Sequence, residues 1–385
     1  MNRRRAPSGA WRWWQGDVLA ARFRGYTWHR LRAILAPMKL LPMIAALPLL
    51  CASPVLAQDE AQPVTPLSIV AASQAEEWVE IAPEDILIMR LADDGGDGPR
   101  EVVIQLMPPP FSQPWVENIR TLARAHWWDG TSVYRVVDNW VTQWGDASEE
   151  KVLPDGLNEP GADAYTADLT AWRIESEAQQ IEGESESAQP ISLAPVNVDP
   201  VPLWHSKDAY SDWVDFHAGW PVSTKGFSWQ SREAPIHCYG YVGVARDIET
   251  TGTGSELYAV IGHAPRQLDH NIAVVGRVIE GMEHLSTMKR GTGDAGVYES
   301  RDEDTVIEWV RLASDVEESS PASTSGAVGR EFYRYEYMDT DSDSFAAYMA
   351  SRANRNDAFY TVPAGGVDIC NVQVPLRWID PEGAQ

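Results

Sequence analysis

The stretch YRVVDNWVTQWGD, Tyr134–Asp146, places Arg135 among apolar and aromatic residues, and Gln143 follows eight positions later. A guanidinium in apolar surroundings loses hydration free energy unless it is paired or needed for function. The branched and aromatic residues predict one β-strand, although they do not alternate cleanly. From spacing alone, the simplest alternative is an arginine on the solvent face of an edge strand, paired with Asp138 or Asp146.

Short strand patterns lie on both sides of this stretch. Upstream, EDILIMRLADDGGDGPREVVIQLM predicts two strands joined by a Gly/Asp-rich turn, and SQPWVENIRTLARAHWWDG predicts a helix with Pro114 in its first turn. Downstream, EGMEHLSTMKRG predicts a short helix, and the strand patterns are IHCYGYVGVARD, GSELYAVIG, NIAVVGRVI and DTVIEWVRLASDV. Many short strands with two principal helices predict a mainly β fold, either an antiparallel barrel or a sandwich.

Residues 147–234 interrupt this pattern and are predicted to form an insertion within one domain. Glu, Ser, Gln and Pro dominate residues 174–200, so we expect a mobile loop there, whereas the aromatic residues that follow are expected to pack onto the core. A Glu- and Ser-rich linker then precedes a C-terminal extension with a helix near Phe345–Arg355 and a strand-like DICNVQVPLRW. The exported chain is thus divided into a leader, a main domain, a linker and an extension: residues 58–84, 85–316, 317–329 and 330–385.

The segment MKLLPMIAALPLLCASPVLA, Met38–Ala57, has a basic residue, a short apolar run and a small residue at its end. This is the plan of a secretory signal, and the run is short for a transmembrane helix. We expect residues 1–57 to comprise an N-terminal extension and this signal, with cleavage after Ala57. The expected location is periplasmic, with no transmembrane span left. Leu50, directly before Cys51, is too bulky for the usual lipoprotein motif.

The formal net charge is −25, and residues 1–57 carry nine Lys/Arg against one Asp, so the exported chain is more acidic still. Nucleic acids and anionic membranes are therefore improbable partners. The acidic residues are spread over predicted loops, which favours a role in solubility. A monomer is expected.

Two cysteines, Cys238 and Cys370, remain after signal cleavage. In an oxidising compartment they could form a disulfide, but sequence does not show whether their Cα atoms lie close enough, so the pairing stays open. A thiol titration that finds two free thiols would exclude it.

Common catalytic and metal-binding motifs are missing from the chain. It has no G-x-S-x-G, no H-E-x-x-H and no Walker or dinucleotide glycine motif. DTDSDS resembles the start of a calcium loop, but Ser344 and Ala350 stand where that loop needs glycine and glutamate. His205 and His217 lack a convincing third ligand nearby. We therefore predict no metal and no cofactor.

The order of the motifs over about residues 85–316 resembles the cyclophilin-type peptidyl-prolyl cis/trans isomerases. In that family the segment around the arginine usually reads Phe-His-Arg-Val, then an aromatic residue, a methionine, a glutamine and Gly-Gly-Asp. The residues at those places here are Tyr134-Arg135-Val136-Val137, Trp140, Val141, Gln143 and Trp144-Gly145-Asp146. Further matches, in order and spacing, are Leu268-Asp269, Val274-Val275-Gly276 and Glu280-Gly281-Met282.

The resemblance implies a closed eight-stranded antiparallel β-barrel with a helix at each end and a shallow groove for a proline-containing peptide. It implies catalysis of rotation about the bond before proline, with Arg135 stabilising the twisted amide. Gln143 would hold the substrate backbone or orient Arg135, and Trp140 with Tyr258 would wall the proline pocket. The implied substrate-binding residues are Tyr134, Trp140, Val141, Glu256, Tyr258, Leu268 and Ile272.

Several positions depart from the family pattern. Glu256 replaces a frequent glutamine, Ile272 a histidine, Gln267 a tryptophan and Val141 a methionine. Glu256 could pair with Arg135, which would anchor the guanidinium but blunt its charge. The leading hypothesis is an isomerase that assists folding of exported proteins in the periplasm. The alternatives are a catalytically weak peptide-binding or chaperone module, and a structural envelope protein.

Overall fold

The computed structural model describes residues 64–96, 98–172, 208–226, 232–316, 333–355, 359–362 and 364–379. All of them belong to one compact unit, Ala61–Gln385. The predicted signal, the segment 174–200 for which a mobile loop is predicted, and the predicted linker at 317–329 lie outside the described residues. No helix within the described part of the chain is long and apolar enough to cross a membrane.

Short strands dominate the described residues. The strands are β1 (Trp78–Glu80), β2 (Ile86–Leu91), β3 (Arg100–Leu106), β4 (Ser132–Val136), β5 (Val141–Gly145), β6 (Trp213–His217), β7 (Trp220–Lys225), β8 (Arg232–Pro235), β9 (Tyr241–Val244), β10 (Leu257–Val260), β11 (Val274–Glu280), β12 (Thr305–Leu312), β13 (Tyr335–Met338) and β14 (Leu376–Trp378). The α-helices are α1 (Pro66–Ala72), α2 (Gln113–Arg124), α3 (Met282–Ser286) and α4 (Asp343–Ala353).

Eight of these strands close into an antiparallel barrel in the order β10-β5-β4-β12-β2-β3-β11-β9. The predicted mainly β barrel is thereby confirmed. Helix α2 buries Trp115, Ile119 and Leu122 in the barrel core, as its three- and four-residue spacing requires. Leu285 of α3 joins the same core.

The stretch Tyr134–Asp146 forms a hairpin, so the expectation of one strand is wrong. Strands β4 and β5 are joined by a turn in which Asn139 has a φ of +52°, and the backbone N–H of Val137 donates to the carbonyl of Val141. Asn tolerates this left-handed conformation better than most residues. The turn explains why the apolar residues do not alternate over the whole stretch, and it places Arg135 directly opposite Gln143.

The described part of the insertion folds onto the barrel. Strands β6, β7 and β8 form a separate antiparallel sheet, and Trp220 of β7 enters the barrel core. The barrel residue Arg277 holds this sheet in place. Its Nε donates to Gln105 Oε1 at 2.8 Å, its Nη1 donates to the carbonyl of Gly219 at 2.8 Å, and its guanidinium lies 4.6 Å from the ring centre of Trp220.

The leader and the C-terminal extension pair with each other in a third sheet, of order β1-β13-β14. The segment DICNVQVPLRW is a 3-10 turn, Ile369–Asn371, followed by the short β14, so the prediction of a longer strand is wrong. Cys238 and Cys370 form a disulfide with a Cα–Cα distance of 5.2 Å. This bond ties the extension to the segment between β8 and β9.

Candidate functional site

Arg135 and Gln143 face each other across the β4–β5 hairpin at the wall of the barrel. Arg135 Nη1 donates to Gln143 Oε1 at 2.9 Å, and Arg135 Nε donates to the carbonyl of Ala295 at 2.8 Å. The guanidinium also lies 5.5 Å from the ring centre of Trp140, within cation–π range. Three contacts from three segments therefore fix a partly buried arginine in one orientation.

All nine residues predicted for the site line one open cleft of about 1140 Å³: Tyr134, Arg135, Trp140, Val141, Gln143, Glu256, Tyr258, Leu268 and Ile272. The cleft continues beyond them along loops at residues 146–149, 159–160 and 245–253. Asp146 ends the motif Trp144-Gly145-Asp146, and the other residues of these loops were not predicted to belong to the site.

The floor of the cleft is apolar on one side. Val141 and Tyr258 form a buried cluster with Val260, against which Leu268 and Ile272 pack. Strands β5 and β10 bring these residues together because Tyr258 lies opposite Gln143. Such a cluster suits a pyrrolidine ring, which has no polar atom to satisfy. Trp140 also lines the cleft, with 37% of its surface exposed, but its ring lies beside the Arg135 guanidinium.

A buried polar network supports the loop that carries Leu268 and Ile272. Arg266 Nη1 donates to Asp208 Oδ2 at 2.7 Å, and the Asp269 carboxylate accepts from both Arg266 and the backbone N–H of His237. The His237 ring lies nearly parallel to Tyr258, with ring centres 6.3 Å apart. The sequence analysis recognised Asp269 only as part of a motif, and it missed Arg266 and His237.

Glu256 does not pair with Arg135, contrary to the possibility raised by its sequence position. Its carboxylate accepts from the Tyr134 hydroxyl at 2.8 Å and from the backbone N–H of Asp146 at 2.7 Å. Gly145 makes room for it, since a Cβ there would lie 2.1 Å from the carboxylate oxygens. Among the described residues, no carboxylate forms an ion pair with Arg135, so its charge is available to a ligand in the cleft.

Burial sets the protonation of these groups. It raises the pKa of Tyr134, and the neighbouring Glu256 raises it further, so the hydroxyl stays protonated and can donate. Burial also raises the pKa of Glu256, whereas its hydrogen bonds with Tyr134 and Asp146 oppose the rise. Burial lowers the pKa of Arg135, but an arginine starts so high that it remains charged.

Comparisons with known proteins agree with this geometry. The sequence profile of the family described as cyclophilin type peptidyl-prolyl cis-trans isomerase/CLD matches residues 101–311, more than half of the chain. The chain therefore belongs to the cyclophilin-type isomerases. It is a peptidyl-prolyl cis/trans isomerase, and proteins of this family bind proline-containing peptides.

One solved structure of a cyclophilin shares the fold. The cyclophilin AquaCyp293 from Hirschia baltica is similar with a TM-score of 0.50 and 18% identity, covering 82% of this chain and 98% of its own. A cyclophilin-type isomerase from Cryptosporidium parvum, solved in the presence of the dipeptide Ala-Pro, has a TM-score of 0.29 and 10% identity, covering 58% and 98%. A search of curated proteins found no match.

Proposed function

We propose that Arg135 catalyses the isomerisation by stabilising the twisted amide of a peptide bound in the cleft. Rotation of the bond before proline breaks amide resonance, which sets a barrier of about 18–20 kcal/mol. No nucleophile is needed; a donor that interacts better with the twisted amide than with the planar one lowers the barrier. The observation that supports Arg135 in this role is a guanidinium fixed by Gln143 and Ala295 without an ion-pair partner among the described residues.

The donors of Arg135 divide between the protein and the cleft. Nε and Nη1 hold the side chain in place, and Nη2 has no hydrogen-bond partner among the described residues. Both N–H groups of Nη2 and the second N–H of Nη1 thus remain for the substrate. The side-chain oxygen of Gln143 accepts from Arg135 and its amide nitrogen donates to Tyr134, so its proposed role is to orient Arg135.

The apolar side of the cleft, formed by Val141, Tyr258, Leu268 and Ile272, is the proposed seat of the proline ring. With the ring held there, one half of the peptide is fixed while the other half turns beside Arg135. Departures from the family pattern at Val141 and Ile272 keep the cluster apolar, which supports binding of proline.

Turnover separates the isomerase from a module that only binds peptides. Two-dimensional exchange NMR of an Ala-Pro tetrapeptide with the protein beginning at Gln58 is expected to show cis/trans exchange far above the uncatalysed rate, which takes tens of seconds. The protein with its cleft blocked by excess competing proline peptide serves as the control. Peptide binding without faster exchange would favour the catalytically weak binding module.

We further propose that the substrates are exported proteins folding in the periplasm. The signal-like segment Met38–Ala57 and the disulfide between Cys238 and Cys370 support this, because disulfides persist in oxidising compartments. Expression from Met38 in a Gram-negative host, followed by N-terminal sequencing of the periplasmic fraction, is expected to give Gln58. An uncleaved protein confined to the cytoplasm would contradict the proposal.

A further inference from the structure

One continuous chain of hydrogen bonds runs from Arg135 away from the cleft. Arg135 Nη1 donates to Gln143 Oε1, Gln143 Nε2 donates to the Tyr134 hydroxyl, and that hydroxyl donates to Glu256 Oε2. The second carboxylate oxygen, Oε1, accepts from the backbone N–H of Asp146. The chain brings Glu256, which departs from the family pattern, into direct contact with Tyr134.

We propose that Tyr134 and Glu256 are positioning residues that fix the amide orientation of Gln143 and, through it, the guanidinium of Arg135. The proposal rests on the proposed function of Arg135. Neither residue needs to touch the twisting amide. Their effect on the reaction passes through Gln143.

The direction of every bond in the chain follows from the carboxylate. An ionised carboxylate only accepts, so Tyr134 must donate its single hydroxyl proton to Glu256. The Tyr134 oxygen then accepts from Gln143, which requires the Nε2 end of the amide to face Tyr134. The Oε1 end is thereby turned toward Arg135, whose guanidinium only donates. The opposite amide orientation would place a donor against a donor at Arg135 and an acceptor against an acceptor at Tyr134.

A glutamine at position 256 could not fix these hydrogen-bond directions while Tyr134 is present. Two donors, the Tyr134 hydroxyl and the Asp146 N–H, converge on the two oxygens of Glu256. An amide offers one oxygen and adds two N–H donors, so one of the two donors would face another donor. Gly145 also leaves space for the carboxylate in this position, because any side chain there would collide with it.

Protonation of Glu256 should interrupt this chain of hydrogen bonds, as a glutamine at position 256 would. The protonated acid can donate to Tyr134, which then has no acceptor for its own proton unless Gln143 turns over. The titratable groups facing Glu256 are Tyr134 on β4 and Asp146 and Glu149 after β5, and both carboxylates favour its protonation. Burial raises the pKa of Glu256 above its ordinary value of 4.5. Activity should therefore fall as the pH is lowered from neutral toward the raised pKa of Glu256.

The test is the peptide exchange rate of Tyr134→Phe, Glu256→Gln and the double variant. Each single variant is expected to lower kcat/KM about tenfold, equivalent to about 1.4 kcal/mol, with little change in peptide Kd. The double variant should lose no more than the worse single variant, since both changes interrupt one chain. Tyr333→Phe, which removes the 3.0 Å bond to Glu101 outside the cleft, and Glu308→Gln, at an exposed position, are the matched controls.

The pH profile supplies a readout that a purely structural role would not move. Wild-type protein should lose activity at acid pH while it stays folded by circular dichroism, and Glu256→Gln should show a flat profile. If Glu256→Gln does not fold, the profiles of wild-type and Tyr134→Phe decide. Three results would overturn the proposal. The first is a kcat/KM of the single variants within about twofold of wild type. The others are a double variant whose loss is the product of the two single losses, and a Glu256→Gln variant that loses activity at acid pH as the wild type does.

This proposal and the proposed function fail in different ways. If Arg135→Ala turns over at the wild-type rate, the role of Arg135 itself is wrong. If Arg135→Ala is slow while Tyr134→Phe and Glu256→Gln are fast, Arg135 acts without the positioning chain, and only this inference is rejected.

Discussion

Arg135→Ala is expected to slow isomerisation of a proline peptide at least tenfold, which corresponds to more than about 1.4 kcal/mol of barrier. The variant removes the guanidinium N–H donors that remain for the substrate and the charge that favours the localised lone pair of the twisted amide. The fold should remain intact, because the Arg135 side chain is partly exposed and, among the described residues, forms hydrogen bonds only with Gln143 and Ala295. The measurement is the exchange rate at saturating and subsaturating peptide.

Arg135→Lys distinguishes charge from geometry. Lysine keeps the charge but lacks the planar fork that lets one side chain bond Gln143, Ala295 and a substrate at once. Its rate is expected between those of the wild type and Arg135→Ala. Arg334→Ala, which removes a partly exposed ion pair with Glu80 away from the cleft, is the control and should retain the wild-type rate.

Loss of the disulfide between Cys238 and Cys370 is expected to lower the free energy of unfolding by about 2–5 kcal/mol. The bond closes a loop of 132 residues, and a long loop has more conformational freedom to lose in the unfolded chain. Urea unfolding of the protein beginning at Gln58, with and without reductant, measures the change. That protein lacks Cys51, so no third thiol complicates the comparison.

The double variant Cys238→Ser/Cys370→Ser is the control for reductant effects. Its unfolding should be the same with and without reductant and should match that of the reduced wild type. Thiol titration of the oxidised wild type under denaturing conditions should find no free thiol. Two free thiols, or a stability that does not respond to reduction, would contradict the prediction.

The barrel and the members of the cleft could be predicted because local patterns and their order carried the information. The residues around Arg135, Tyr258 and Leu268 belong to motifs whose spacing survives the long insertion. The hairpin was harder, since Asp138 and Asn139 gave a weaker turn signal than a glycine would have given. Once the hairpin is formed, the opposition of Arg135 and Gln143 follows from its register.

Contacts between distant segments could not be read in this way. The pairing of β1 with β13 joins residues separated by almost the whole described chain, and three-residue strands have no periodicity to detect. The partner of Glu256 was missed for a different reason. Its charge suggested a pairing with Arg135. The position of its carboxylate is instead determined by the space above Gly145 and by the Tyr134 hydroxyl, which depend on side-chain positions.

The central claim is that the Arg135 guanidinium, which has no ion-pair partner among the described residues, catalyses the isomerisation. One comparison tests it most directly. Exchange NMR of the same Ala-Pro tetrapeptide, at equal concentrations of wild-type and Arg135→Ala protein, gives the two catalysed rates without a coupling protease. The account predicts a ratio of at least about ten with peptide binding preserved. Equal rates in the two proteins would contradict it.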